Sequence, residues 1–194
     1  MIRSLAALTV LAAATSGTPA YPATLTTDLH GKAGKILSFD RETGAATRQC
    51  KGVAGYKLLV HDEDGRTSID VVPPARRKLP LNFWDVVSSG YSTIGRKAEW
   101  HMARRHGKLV PVGLVVRVNT VDTVAVDRFK RGALTTVTRI GADAACVVFK
   151  TKAASREASR KARAVAIDPR APCLPAVERS EERRVGKECT AECR

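Results

Sequence analysis

YKLLVHDEDGRTSIDVV, Tyr56 to Val72, is the stretch from which the rest of the chain can be read. Tyr56, Leu58 and Val60 fall on one face of an extended segment, and the β-branched run Thr67 to Val72 follows across Glu63-Asp64-Gly65-Arg66. Asp-Gly between two such runs favours a tight two-residue turn, because both central residues need positive φ and these two tolerate it. The stretch therefore predicts a β-hairpin.

Two further strand pairs follow by the same reasoning. In RKAEWHMARR, Ala98, Trp100 and Met102 alternate with Glu99, His101 and Ala103, and His106-Gly107 joins this run to KLVPVGLVVRVNT. Pro111 lacks a backbone donor, so it belongs at a sheet edge or near the start of its strand. ALTTVTRI and AACVVFKT, rich in β-branched residues and separated by Gly141-Ala142-Asp143, make the third pair. Pro73, Pro74 and Pro80 interrupt regular structure, and LNFWDVVSSGYSTIG reads as a short helical or irregular segment. SREASRKARAVAID places Ala158, Ala162, Val165 and Ala166 at helical spacing, with Ser155 available as a cap. The expected fold is α+β: one antiparallel sheet of about three hairpins with a single C-terminal helix packed on it.

The flanks carry other information. MIRSLAALTVLAAATSGTPA has a cation at Arg3, an apolar run from Leu5 to Ala14 and small residues at Thr18 and Ala20, the pattern of a secretory signal over residues 1–20. Its apolar run is short of the roughly 20 residues that cross a bilayer, and no later segment reaches that length. Residues 21–49, rich in Thr, Ala and Gly, read as a loose arm ending in one strand. Residues 50–178 read as a single domain. RSEERRVGKEC, Arg179 to Cys189, has a permitted back-translation that resembles a common short-read sequencing adapter, so residues 179–194 are expected to be a non-native tail. Between signal and tail, 27 Lys and Arg stand against 15 Asp and Glu, a net charge of +12.

That same span holds three cysteines, Cys50, Cys146 and Cys173, which allow one internal bridge. A strand from Ala144 to Thr151 advances ~26 Å. A helix from Ala154 to Asp168 returns ~22 Å in the opposite sense. Cys173 should therefore come back beside Cys146 and bond to it.

GYKLLVHDEDGR, KAEWHM, PVGLVVRV, CVVFKTKA and SREASRKARAVA together resemble a group of small exported alphaproteobacterial proteins without an assigned activity, over about Cys50 to Cys173. The resemblance implies export and supplies no mechanism. His101 stands where that pattern expects Arg.

Enzymatic signatures are thin. No G-x-S-x-G occurs, and Ser88 and Ser89 have no identifiable base. His61, His101 and His106 do not have the spacing of a metal site, and Asp62, Glu63 and Asp64 are not followed by the closing ligand of a calcium loop. No cofactor is expected. Glu99, Asp70 and His101 are the candidates for an acid–base site, with Glu99 more readily an ion-pair partner, for instance of Arg117. The remaining global feature is basic charge: Arg76, Arg77 and Lys78; Arg104, Arg105 and Lys108; Arg128, Lys130 and Arg131; and the helix cations. If these share a face they attract anions. The expectation is an exported, non-enzymatic binding or accessory domain that engages an anionic envelope polymer, lipid head groups or an acidic protein rather than nucleic acid. The alternative is an envelope enzyme acting near Glu99, Asp70 and His101.

Overall fold

The computed structural model describes residues 23–30, 34–74, 77–125, 128–152 and 156–176. The expected signal peptide and the expected non-native tail lie outside these residues, as do Ala75 and Arg76.

Among the described residues, ten strands form two five-stranded antiparallel sheets in place of the single sheet expected. In chain order they are β1 (Thr24–Asp28), β2 (Gly34–Phe39), β3 (Ala46–Lys51), β4 (Lys57–Glu63), β5 (Arg66–Val72), β6 (Leu79–Pro80), β7 (Tyr91–Arg105), β8 (Lys108–Ala125), β9 (Arg128–Ile140) and β10 (Ala145–Lys152). A short helix, α1 (Phe83–Val86), precedes β7, and α2 (Arg156–Ala166) follows β10. One sheet has the order β1-β7-β8-β9-β10 and the other β2-β3-β4-β5-β6.

The Tyr56–Val72 stretch folds as β4 and β5 with Glu63 opposite Arg66. Asp64 and Gly65 both have positive φ, 51° and 67°, the backbone of the mirror-image turns that match strand twist. β7 pairs with β8 and β9 with β10. β8 also pairs with β9, and β3 with both β2 and β4, so these strands run as meanders rather than separate hairpins. Pro111 sits opposite Met102, and β9 joins β8 only from Gly113 onward, so the proline occupies a stretch with one strand neighbour.

The loose arm expected over residues 21–49 is corrected: β1, β2 and most of β3 fall there. β1 adds an edge to β7, with Leu25 opposite Trp100, and β2 adds an edge to β3. These segments have too little apolar alternation to announce themselves, because an edge strand is held by its ladder more than by buried side chains. Tyr91 to Gly95, expected to be irregular, forms the start of β7.

Both sheets direct one face into a shared core. Leu58, Val60, Ile69 and Val71 from one sheet meet Trp100, Leu114, Val116 and Val118 from the other, all essentially buried. The outer face of the β7–β10 sheet carries α2, whose Ala162 and Ala166 pack with Val137 and Val148. A bulge between Val147 and Phe149 changes the register there, and both Val148 and Phe149 join the group beneath the helix. Small residues let the helix come close: a Cβ at Gly113 would lie 2.1 Å from the Ala166 carbonyl oxygen. The Cys146–Cys173 bond forms as expected, with Cα atoms 5.6 Å apart, and returns the chain to β10 after the helix. Leu174 N–H then donates to the Val147 carbonyl at 2.8 Å.

Gly113→Ala is expected to push α2 off its sheet and to lower the unfolding free energy by about 1–3 kcal/mol, read from denaturant midpoints. Replacing Cys146 and Cys173 together by alanine is expected to lower it by about 2–4 kcal/mol, chiefly by freeing the unfolded chain. Unchanged midpoints would show that neither contact secures the helix.

Candidate functional site

Two histidine–carboxylate pairs form on different sheets. His61 lies opposite Ser68 in the β4–β5 ladder, which puts Asp70 diagonally beside it. His61 Nε2 donates to Asp70 Oδ2 at 3.0 Å, and on its other side Thr47 Oγ1 lies 3.1 Å from Nδ1. Lys78 Nζ adds a third partner, 3.6 Å from Asp70 Oδ2. Burial pushes the Asp70 carboxyl up, but the His61 hydrogen bond, the His61 charge and Lys78 outweigh it and hold the group below its ordinary range.

The hydroxyl–imidazole–carboxylate line of Thr47, His61 and Asp70 has the order of a nucleophile relay. It sits in the middle of a paired ladder, where backbone N–H groups are committed to neighbouring strands and are not available to stabilise an oxyanion. The arrangement therefore acts as a cross-strand tie.

The second pair joins the β7–β10 sheet to its helix. Glu99 and His101 are two apart on β7 and share its outer face, with His101 Nε2 donating to Glu99 Oε1 at 3.0 Å. Arg163 of α2 grips the same carboxylate with two bonds, Nε to Oε1 at 3.0 Å and a terminal nitrogen to Oε2 at 3.3 Å. The ion-pair role expected for Glu99 holds, but its partner is Arg163 and not Arg117; Arg117 donates to Asn119 instead. His101 is 3% exposed. Burial holds its pKa below the usual 6.5 despite the opposing pull of Glu99.

Glu99 and His101 thus meet, whereas Asp70 belongs to the other sheet, so the three residues proposed for an acid–base site do not assemble. Among the described residues no group of three or more His, Cys, Asp or Glu is placed to hold a metal ion.

Two hollows adjoin at the end of the β7–β10 sheet where β9 turns into β10. A cavity of about 640 Å³ is bounded by Val112, Ile140, Ile167, Arg105 and Arg139, with the Gly141–Ala144 turn along one side. An adjoining hollow of about 520 Å³ is lined by Arg77, Lys78 and the other side of that turn. Asp143 lines both. Arg139 is anchored, donating to the Pro169 carbonyl at 2.7 Å and lying 3.9 and 3.7 Å from the two sulfurs of the disulfide. Arg105 has no acidic partner among the described residues. Arg77, Lys78 and Arg105 come from two of the basic groups read in the sequence; Arg139 was not singled out, although the hairpin register that opposes it to Cys146 carries that signal.

The other basic groups lie elsewhere. Lys108 begins β8 beside Arg105, whereas Arg131 and Lys130 pair with Val121 and Asp122 near its far end. Val121 is thirteen positions beyond Lys108, roughly 40 Å of strand. Arg104 closes its own turn by donating to the Gly107 carbonyl at 3.0 Å. Arg128 starts β9 at that far end, and Arg76 lies outside the described residues. Among the described residues, Lys130 and Arg131 therefore stand at the opposite end of β8 from Arg105 and Lys108.

No family model, curated protein or solved structure matches this chain.

Because burial lowers the His101 pKa in the folded state, the unfolded chain binds a proton first as pH falls below about 6.5. His101 therefore contributes stability that is complete above that value and is lost as pH falls through its lower folded pKa. His101→Gln should keep a donor for Glu99 while flattening this part of the acid loss, measured as denaturant midpoints between pH 7.5 and 5. Parallel curves for variant and wild type would show that other groups drive the loss.

Proposed function

We propose that this protein is an exported, non-enzymatic binding domain that engages anionic components of the envelope at the end of the molecule marked by the Gly141–Ala144 turn. The observation that carries this reading is the approach of Arg77, Lys78, Arg105 and Arg139, from three separate parts of the chain, to two adjoining hollows. Asp143 and Asp168 offset part of that charge, and Asp168 already accepts the Arg170 N–H at 2.9 Å. Cations beside low-dielectric walls concentrate anions from solution more than the same charges scattered on a surface do.

Export is supported by the disulfide, which fits an oxidising compartment. Among the described residues no helix is long and apolar enough to cross a membrane. Against the alternative of an envelope enzyme stands the fact that both histidine–carboxylate pairs are engaged in ties between structural elements and neither lines the two hollows.

Retention on heparin and on vesicles containing anionic lipid should fall with added salt. Arg77→Ala with Arg105→Ala should elute at clearly lower salt than wild type, while Lys130→Ala with Arg131→Ala should elute close to it. Neither pair should alter thermal stability much, since exposed cations contribute little. Equal elution of all three proteins would remove this end of the molecule as the anion site.

A further inference from the structure

We infer that the 640 Å³ cavity takes the hydrocarbon chain of a single-chain amphiphile whose anionic head lies against Arg105 and Arg139. This deepens the anion-binding reading above and rests on it. A head-group site alone would need only the cations, but this hollow is also lined by Ala103, Val112 and Ile140. Val112 and Ile140 are themselves buried, at 8% and 2% exposure, so the apolar floor belongs to the folded body and not to a surface loop.

Ile167 gives the second indication. It is 42% exposed directly after α2 and adds apolar surface to the cavity wall. A chain entering the cavity would cover it. The volume lies within the range of small-ligand sites, which combine mostly apolar walls with a few polar groups that orient the ligand. The polar groups here differ in their freedom. Arg139 is fixed by Pro169 and stands beside the disulfide, whereas Arg105 is exposed, has no ion-pair partner among the described residues, and can turn toward an incoming anion. A phosphate or carboxylate would thus meet one held and one adaptable guanidinium, on the side of the cavity away from Asp143 and Asp168, with its chain against Val112, Ile140 and Ile167.

The wall that carries Ile167 is also secured. Ala166 packs on Gly113 on one side of it, and Ala171 and the Cys146–Cys173 bond hold the chain on the other. The cavity therefore needs no rearrangement of the sheets to receive a chain.

The test is calorimetric titration of the purified protein, below micelle formation, with inorganic phosphate, hexyl, octyl and decyl phosphate, and neutral octyl glucoside. Affinity should rise up to about fourfold per added methylene until the cavity is filled. Arg105→Ala should weaken octyl phosphate roughly tenfold. Ala103→Phe, and independently Ala144→Phe on the exposed turn, should abolish the dependence on chain length while leaving salt-dependent heparin retention in place. If wild type is retained on heparin but binds all the phosphates alike, the chain site is wrong and the anion reading stands. Octyl glucoside binding as tightly as octyl phosphate would overturn the role given to the anionic head. Loss of heparin retention and of all phosphate binding would overturn both readings together.

Discussion

Burial of the Trp100 side chain between two sheets is the contact on which the rest of the structure depends. The indole is fully buried, its Nε1–H is satisfied by Thr27 Oγ1 at 2.9 Å, and its ring meets Tyr56 edge-on at 6.4 Å between centroids. One residue of β7 thereby touches the edge strand β1 and the segment leading into β4. A Cβ at Gly52 would lie 2.8 Å from the indole, so only glycine lets the backbone pass there without displacing it. A large aromatic with a satisfied donor fills the space between sheets that smaller side chains would leave as a void.

Outside that core, polar contacts do the joining, and each has a burial or charge reason. Lys150 of β10 donates to the Val86 and Val87 carbonyls at 2.8 and 3.3 Å, satisfying the open end of α1. Burial pulls its pKa down without removing its role as donor. Arg163 binds Glu99 across the face of the β7–β10 sheet, while the alanines beneath it bring the helix close but bury little area. A helix with so small an apolar face gains from a charged clamp and a covalent return, and this protein has both. Cys50, by contrast, is a buried thiol whose pKa is raised by desolvation, which keeps it unreactive.

The proposed site inherits its shape from these same constraints. It is lined by the buried Val112 and by Ile140 of the shared core, its outer wall is the exit from α2, and its charge comes from residues at strand ends. Strand ends are where long cationic side chains can keep their heads in water while their stems cover apolar surface. Two of the four basic groups meet at one such end, and a third lies at the far end of β8, because a hairpin that long separates its termini.

Much of this was legible from local chemistry alone. Asp64-Gly65 and His106-Gly107 set their turns, the alternation around Trp100 set which face of β7 is buried, and the lengths of β10 and α2 led Cys173 back to Cys146, because each depends on residues close in the chain. The division into two sheets, the edge strands before Lys51, the Glu99–Arg163 clamp and the meeting of Arg77 with Arg105 and Arg139 around one turn were decided only by tertiary structure. Periodicity tells which face of a strand is apolar, but not which other face will cover it. Charge counted along a chain likewise carries no direction until the strands fix where each side chain stands.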